Sequence, residues 1–235
     1  MKWLTPDGVV AALVVGSAVA WRFSGPGLAV LAAFFLSGSL LTQLAERRAS
    51  RRNARQVIAN GGVAAVAALL GSWGTAAGAL AAAAADTWAT EIGAFSPFRP
   101  RLITTGRSVP RGTSGGITAL GTLGGVAGAV VIAGLASVLE PRGIAPGLGH
   151  PRTLMSLVTA AGVAGMLVDS LLGATLQGKY ECPACDARFE RGTTVCHEPV
   201  RLIKGFRWLD NDAVNLAATL CGAAVVALGS RWSPP

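Results

Sequence analysis

The sequence predicts an all-α, polytopic integral membrane protein: a bundle of about seven transmembrane helices with its N-terminus in the cytoplasm. Of the 235 residues, 51% are hydrophobic and only 14% are charged. The hydrophobic residues form runs of about 18 to 24, the length that an α-helix needs to cross about 30 Å of hydrocarbon. The whole chain, residues 1–235, is therefore predicted to be a single membrane domain.

Seven segments have the length and the hydrophobicity of a membrane-spanning helix. The first is followed at once by Gly25-Pro26 and a second apolar run, and no small-residue cleavage site stands out. This pattern favours a retained first span over a removable signal peptide. The predicted spans are residues 6–23, 27–44, 56–73, 75–95, 116–138, 153–176 and 213–230.

Cationic residues are concentrated in alternate connections. The linker 46–55 holds five arginines, the loop 96–115 holds four, and the segment 177–212 holds six lysines or arginines. The positive-inside bias places these connections and the N-terminus in the cytoplasm, as expected for a multi-pass protein of the cell inner membrane. Arginine clusters of this kind also contact anionic lipids. The sequence contains no nucleic-acid-binding module, so the net charge of +8 requires no nucleic-acid partner.

Polar residues cluster at the cytoplasmic ends of four predicted spans. A membrane penalises an ionisable group that faces lipid by several kcal/mol, so these residues are expected to face one another. A single amide in a span usually only joins two helices, but clusters that converge on one membrane face indicate a binding site. They include Asn60 in the third span, Asp86 and Glu91 in the fourth, Asp169 in the sixth, and Asn211, Asp212 and Asn215 at the start of the seventh.

The loop before the fifth span reads VPRGTSGGITALGTLGG from Val109 to Gly125. Glycines at such a position either pack helices closely or let backbone N–H groups approach an anion at a helix N-terminus. The loop is not a Walker A motif, because GxxxxGK[ST] is absent. Its arginines and the nearby carboxylates favour a magnesium-phosphate site, since Mg²⁺ is held by one or two carboxylates together with phosphate oxygens and water.

Three cysteines and a histidine lie close together in the last cytoplasmic loop. Thiols stay reduced in the cytoplasm, so metal binding is favoured over a disulfide. The spacing is similar to that of a zinc knuckle with four tetrahedral ligands, although free or redox-active thiols are an alternative reading. The predicted zinc ligands are Cys182, Cys185, Cys196 and His197, within the loop 178–211.

Five sequence blocks between about Arg55 and Leu216 together resemble the transmembrane protein 19 family, which contains the plastid phytyl-phosphate kinase. The resemblance implies an integral membrane kinase that converts an isoprenoid monophosphate, such as phytyl phosphate, into the diphosphate. It also suggests a distant similarity to phytol and dolichol kinases, which use CTP or another nucleoside triphosphate. The blocks are RQVIANGG, ADTWATEIG, PRLITTGRSVPRGTSGGIT, DSLLGATLQGKYEC and WLDNDAVN; residues 55–216 are the predicted family core.

Roles are predicted for a subset of the polar residues and glycines in these motifs. Asp86, Glu91 and Asp169 are predicted to be catalytic and to bind Mg²⁺, since phosphoryl transfer depends mainly on positioning and charge neutralisation. An isoprenyl phosphate is already ionised near pH 7 and needs no strong general base. The residues predicted to bind phosphate or nucleotide are Asn60, Arg107, Thr113, Ser114, Gly115, Gly116, Asn211, Asp212 and Asn215.

Two other functions remain open at this stage. A lipid or isoprenoid-phosphate transporter would also place carboxylates in the membrane, but it needs polar groups along a path to both faces. The outer halves of these spans are nearly all Ala, Val, Leu and Gly, which counts against transport. A cytidylyltransferase that makes a CDP-lipid is closer in chemistry, and its release of pyrophosphate would distinguish it from a kinase.

Overall fold

The structure is a computed structural model that describes residues 3–45, 51–141, 151–183, 188–189 and 200–231. Within these residues the chain is mostly helical, and short strands occur only in the connections. The helices are α1 (Pro6–Leu44), α2 (Ala54–Leu69), α3 (Trp73–Gly93), α4 (Ala119–Val138), α5 (Pro151–Thr175) and α6 (Asn211–Gly229). The strands are β1 (Arg101–Leu102), β2 (Gly116–Ile117), β3 (Lys179–Glu181), β4 (Arg188–Phe189) and β5 (Arg201–Lys204). All pairings are antiparallel: β1 pairs with β2, and β3 pairs with both β4 and β5.

Helix α1 is interrupted at Ser24, where φ is 50° and ψ is −137°. The chain folds back at this point: the rings of Trp3 and Phe35 lie 5.9 Å apart, whereas a straight helix would separate them by about 48 Å at 1.5 Å per residue. A Cβ on Gly27 would likewise lie 2.8 Å from the side chain of Val19. The two arms of α1 are therefore antiparallel, and they correspond to the first two predicted spans.

Helix α3 lies at the centre of the bundle and contacts every other helix. Its run of alanines from 76 to 85 is interrupted only by Gly78 and Leu80, and all of these residues are buried. Small side chains allow neighbouring backbones to approach closely: a Cβ on Gly78 would lie 2.7 Å from the carbonyl oxygen of Gly222, and one on Gly162 would lie 3.1 Å from that of Ala81. The glycine- and alanine-rich spans are thus explained by helix packing.

In the part of the chain that the structure describes, four helices, namely α1, α4, α5 and α6, are long and apolar enough to cross a membrane by length and composition. The prediction of a helical membrane protein is confirmed at this level. The seven crossings and the cytoplasmic N-terminus stay predictions. The helix bounds differ from the approximate predicted ones by a few residues: the fifth span was expected to begin near residue 116, but Gly116 lies in β2 and α4 begins at Ala119, and the third was expected to reach residue 73, but α2 ends at Leu69. Thr118 has an extended backbone and caps the helix by accepting a 3.0 Å hydrogen bond from the backbone N of Gly121.

Candidate active site

A cavity of about 530 Å³ opens where the C-terminal ends of α3 and α5 meet the N-terminal ends of α4 and α6. Its walls come from four parts of the chain that are distant in sequence, as the clustering of polar residues at one membrane face had suggested. The lining includes Asp86 and Thr90 of α3, Arg111 to Thr118 of the loop before α4, Asp169 and Ser170 of α5, and Gln177 and Asn211.

Two carboxyl groups meet in this cavity. Asp86 of α3 and Asp169 of α5 are within hydrogen-bonding reach of each other, and both line the cavity. Two adjacent carboxylates repel each other strongly, so they share a proton or a cation when they are brought together. This pair therefore provides two oxygen ligands of the kind that Mg²⁺ prefers.

Arg111 fixes one side of the loop at the cavity. Its Nη1 donates to the carbonyl oxygen of Ala94 at 2.7 Å and its Nη2 to that of Ser96 at 2.6 Å. These carbonyls lie just beyond the end of α3 and have no partner within the helix. The guanidinium group therefore joins the loop to the C-terminal end of α3 while it lines the cavity.

The glycine-rich turn folds differently from the simple helix start that was expected. The backbone N of Gly116 donates to the carbonyl oxygen of Thr113 at 2.9 Å, and the carbonyl of Gly115 accepts from Ile103 at 2.9 Å. Gly116 then pairs with Leu102 in the two-stranded sheet. The Gly116 amide thus already has an acceptor within the loop.

Gly115 is required by packing as well as by backbone conformation. Its φ is +78°, and a Cβ at this position would lie 2.6 Å from both the Cα and the backbone N of Ala174 in α5. Gly173 is buried against the same loop, since a Cβ there would lie 3.1 Å from the backbone N of Gly115. Close packing and a place beside a binding site are therefore compatible roles for these glycines. Gly115 packs the loop against α5, and the packed loop forms part of the cavity wall.

The structure does not bring Glu91 together with the two aspartates. Five residues separate it from Asp86, which places the two side chains about 140° apart around the helix. Glu91 is buried on the side of α3 that faces α1, where its Oε1 accepts a 2.9 Å hydrogen bond from the Thr42 hydroxyl. Among the described residues, no three Asp, Glu, His or Cys side chains are grouped closely enough to hold one metal ion. The predicted three-carboxylate set is therefore reduced to the pair Asp86 and Asp169.

Arg52 lies close enough to Glu91 for their charges to interact. Its guanidinium lies over the rings of Phe34 and Phe35, 5.9 and 5.6 Å from their centroids. Burial lowers the pKa of Arg52 from its ordinary value, and the charge of Glu91 opposes that shift. Glu91 and Arg52 thus belong to the contact between α1 and α3, and not to the lining of the cavity.

The other predicted phosphate ligands are divided between the cavity and its surroundings. Asn211 lines the cavity, as do Thr113, Ser114, Gly115 and Gly116. The residues predicted to bind phosphate that do not line it are Asn60, Arg107, Asp212 and Asn215. Asn60 donates to the carbonyl oxygen of Gln56 at 3.0 Å, and Arg107 is exposed.

Asp212 takes part in an ion-pair contact between the starts of α2 and α6. Its Oδ2 lies 3.6 Å from the Nε of Arg55, whose Nη2 is 2.7 Å from Asp210. The carboxylate of Asp210 also caps α6 by accepting from the backbone N of Ala213 at 3.0 Å. These contacts join the starts of α2 and α6 beside Asn211, which lines the cavity.

Six polar residues of the cavity were not among the predicted site residues: Thr90, Arg111, Thr118, Thr122, Ser170 and Gln177. Ser170 and Gln177 share a helical face with Asp169, since they lie one and eight residues from it and a helix repeats every 3.6 residues. That spacing already groups them with Asp169 in the sequence, although no role was predicted for either. Thr118 could have been identified only as a helix cap.

The predicted zinc knuckle falls largely outside the described residues. Cys182 is buried at the end of β3, whereas Cys185, Cys196 and His197 lie outside the part of the chain that the structure describes. The knuckle therefore stays a prediction.

Metal analysis of the purified protein tests the knuckle. We expect about one zinc ion per chain, because four tetrahedral ligands bind one Zn²⁺. The double variant Cys182→Ser, Cys185→Ser should lose the metal, while Cys221→Ser in α6 should keep it. Unchanged zinc content in the double variant would contradict the prediction.

The chain matches the family model described as integral membrane protein DUF92 over residues 1–223. It is 32% identical to Protein PGR of Arabidopsis thaliana, with 87% of this chain and 81% of that protein covered. It is also 32% identical to the uncharacterized membrane protein MJ0933 of Methanocaldococcus jannaschii, with 95% and 84% covered. Similarity to the chloroplastic Protein VTE6 of Arabidopsis thaliana is 27% identity over 97% of this chain and 66% of that protein.

No solved structure matches the chain significantly. The family match extends over nearly all of the described helices, including every element that lines the cavity. Two relatives above 30% identity are covered over more than four fifths of their length. The chain therefore belongs to the DUF92 family of integral membrane proteins, the transmembrane protein 19-like family that its motifs resemble.

Proposed function

We propose that this protein is a membrane kinase that transfers a phosphoryl group from a nucleoside triphosphate to an isoprenoid monophosphate. The observation that carries the proposal is the carboxyl pair of Asp86 and Asp169 beside the loop 111–116 in one cavity. A pair of carboxylates opposite a glycine-rich loop suits a phosphate-bound divalent cation. The family that the motifs resemble includes the plastid phytyl-phosphate kinase, which agrees with this chemistry.

The donor set of the cavity fits Mg²⁺. Asp86 and Asp169 would hold the ion through carboxylate oxygens, leaving its other positions to phosphate oxygens and water, which is the usual magnesium coordination in phosphoryl-transfer sites. When bound, the ion would neutralise charge on the phosphates. Asn211 and Ser114 line the same cavity and would donate hydrogen bonds that orient the phosphates, whereas the Thr113 hydroxyl already donates to the carbonyl oxygen of Pro110 at 2.8 Å.

The reaction needs little acid-base chemistry from the chain. An oxygen of the prenyl monophosphate attacks the γ-phosphorus of the nucleotide, the bond from that phosphorus to the β,γ-bridging oxygen breaks, and the nucleoside diphosphate leaves. The attacking oxygen is already deprotonated near pH 7. Binding, alignment and the exclusion of water are therefore the main tasks of the side chains.

The cavity also has an apolar wall, which supports an amphiphilic acceptor. Met166 and Leu167 of α5 and Ile117 of β2 line it together with the polar groups. Leu167 is 41% exposed, so the wall reaches the lipid-facing surface of the bundle. The prenyl chain would lie along this surface in the bilayer while its phosphate enters the polar end of the cavity.

A transfer assay tests the proposal directly. Purified protein in lipid nanodiscs is supplied with a prenyl monophosphate, Mg²⁺ and a nucleoside triphosphate labelled in the γ-phosphate. We expect label in the prenyl diphosphate, and chelation of the metal should abolish the transfer. Comparison of CTP with ATP identifies the preferred donor.

Product analysis separates the kinase from its closest alternative. Release of pyrophosphate with formation of a CDP-lipid would show a cytidylyltransferase and refute the kinase proposal. Folded protein that transfers no label from any nucleoside triphosphate to geranyl, farnesyl or phytyl phosphate would also refute it.

A further inference from the structure

We propose that Gln177 is a phosphate-binding residue of the cavity, donating a hydrogen bond from its side-chain amide to a phosphate oxygen of the ligand. This inference deepens the proposed function and rests on it for the class of ligand. Gln177 lines the cavity and is only 2% exposed. Its Nε2 is buried and has no hydrogen-bond partner among the described residues.

A buried donor without a partner is costly. An amide N–H left unmatched in the interior loses the hydrogen bond that it makes with water in the unfolded chain, so nearly all such groups in folded proteins are paired. A hydrophobic side chain of similar size would avoid this cost at position 177. A donor that faces a binding cavity avoids it in another way, because an acceptor on the ligand completes the hydrogen bond.

The backbone around Gln177 is held from both sides, which fixes the direction of its side chain. The Gln177 N donates to the carbonyl oxygen of Leu172 at 3.0 Å, and the Gly178 N donates to that of Leu209 at 3.0 Å. The following connection folds back against it, since the N of Phe206 donates to the carbonyl of Leu176 at 3.0 Å. A donor held in this way loses little entropy when the ligand binds.

The side chain of Gln177 also lies beside the glycine-rich loop. A Cβ on Gly173 would lie 3.2 Å from the Gln177 Oε1 and 3.1 Å from the backbone N of Gly115. The Gln177 amide and the Gly115 backbone thus border the same small residue of α5. The absence of a side chain at Gly173 leaves room for both groups at the cavity wall.

A neutral amide suits this position better than a cation. Asp86 and Asp169 line the same cavity, and a lysine near them would compete with a bound metal ion for their charge. The amide of Gln177 can donate to a phosphate oxygen without repelling that ion. The ligand chemistry shared by the nucleotide and the prenyl phosphate is a phosphate oxygen.

Equilibrium binding of inorganic pyrophosphate with Mg²⁺ to the full-length protein tests the inference. Gln177→Met keeps the size of the side chain and removes the donor, so we expect its Kd to rise about tenfold, the loss of one hydrogen bond to a charged group. Its melting temperature should stay the same or rise, because a buried unmatched group has been removed. Gln177→Glu should weaken binding further, by about 100-fold, since its charge repels the anion.

Thr175→Val is the matched control. Thr175 lies half a turn earlier on α5, is exposed, and donates to the carbonyl oxygen of Leu171 at 2.6 Å, so its loss should leave the Kd unchanged. Repeating the titrations with ADP and with geranyl phosphate identifies which phosphate Gln177 contacts, since only that ligand should bind more weakly to Gln177→Met.

Two outcomes would overturn the inference. One is a Gln177→Met variant with a lower melting temperature and an unchanged Kd, which would show a structural role only. The other is wild-type protein that binds none of the three phosphate compounds. Wild-type protein that binds pyrophosphate through Gln177 but transfers no phosphoryl group would refute the proposed kinase and support the role of Gln177.

Discussion

Asp86→Asn and Asp169→Asn should each reduce phosphoryl transfer about 10²- to 10³-fold, the scale expected when a main electrostatic contact to the reacting phosphate is lost. Each change keeps the shape of the side chain and removes one charge from the carboxyl pair. Transfer assays at saturating substrate measure this effect. Thermal melting should show equal or greater stability, because neutralising one carboxyl group removes the repulsion between two adjacent carboxylates.

Glu140→Gln is the matched control for these variants. Glu140 follows the C-terminal end of α4, at the opposite end of that helix from the cavity. Its neutralisation should leave the transfer rate within about twofold of wild type. Destabilised Asp86→Asn and Asp169→Asn variants with near-normal specific activity would show that the pair supports the fold instead of the reaction.

Gly115→Ala should strongly lower the melting temperature of the protein. Alanine at a positive φ costs about 1–2 kcal/mol, and forcing a Cβ against the backbone of Ala174 adds about 1–3 kcal/mol. The loop can relieve the contact only by moving away from α5, which would also open the cavity. Thermal unfolding in a fixed detergent or lipid measures the loss.

Gly112→Ala separates the two contributions. Gly112 has a φ of +81°, but nothing lies within 4 Å of a Cβ built there. Only the conformational cost of about 1–2 kcal/mol should therefore appear. If Gly112→Ala and Gly115→Ala were equally destabilising, the contact with Ala174 would not contribute to stability. The proposed packing of the loop against α5 would then be wrong.

The helical segments of the protein follow from local features of the sequence. Apolar runs of the right length predict the helices, and Gly25-Pro26 predicts the place where α1 turns back. Asn53, Thr118 and Asp210 are N-caps that mark where α2, α4 and α6 begin. The small strands could not be predicted in this way, because strands of two to four residues are stabilised by their partners and not by their own sequence.

The sequence predicts where the candidate site lies, but it does not predict which residues line it. Polar residues at the ends of apolar helices must meet one another to avoid lipid, so the sequence alone indicates that Asp86, Asp169 and Asn211 converge. It cannot indicate which neighbour covers each side of a helix. The role of Gln177 was also not predictable, because an amide near the end of a span has either a structural or a binding role and the sequence does not distinguish them.

Hydrophobicity and charge placement are local properties, so the amino-acid sequence is sufficient to show a helical membrane protein and to predict a polar, glycine-rich site at one end of its helices. The tertiary structure alone decided that Asp86 faces α5 and Asp169, while Glu91 faces α1 and Thr42. The helical repeat separates the two carboxylates by about 140° around α3, but it does not indicate which helix packs against each. That choice depends on the close contacts of small residues around α3, which fix how its neighbours are arranged.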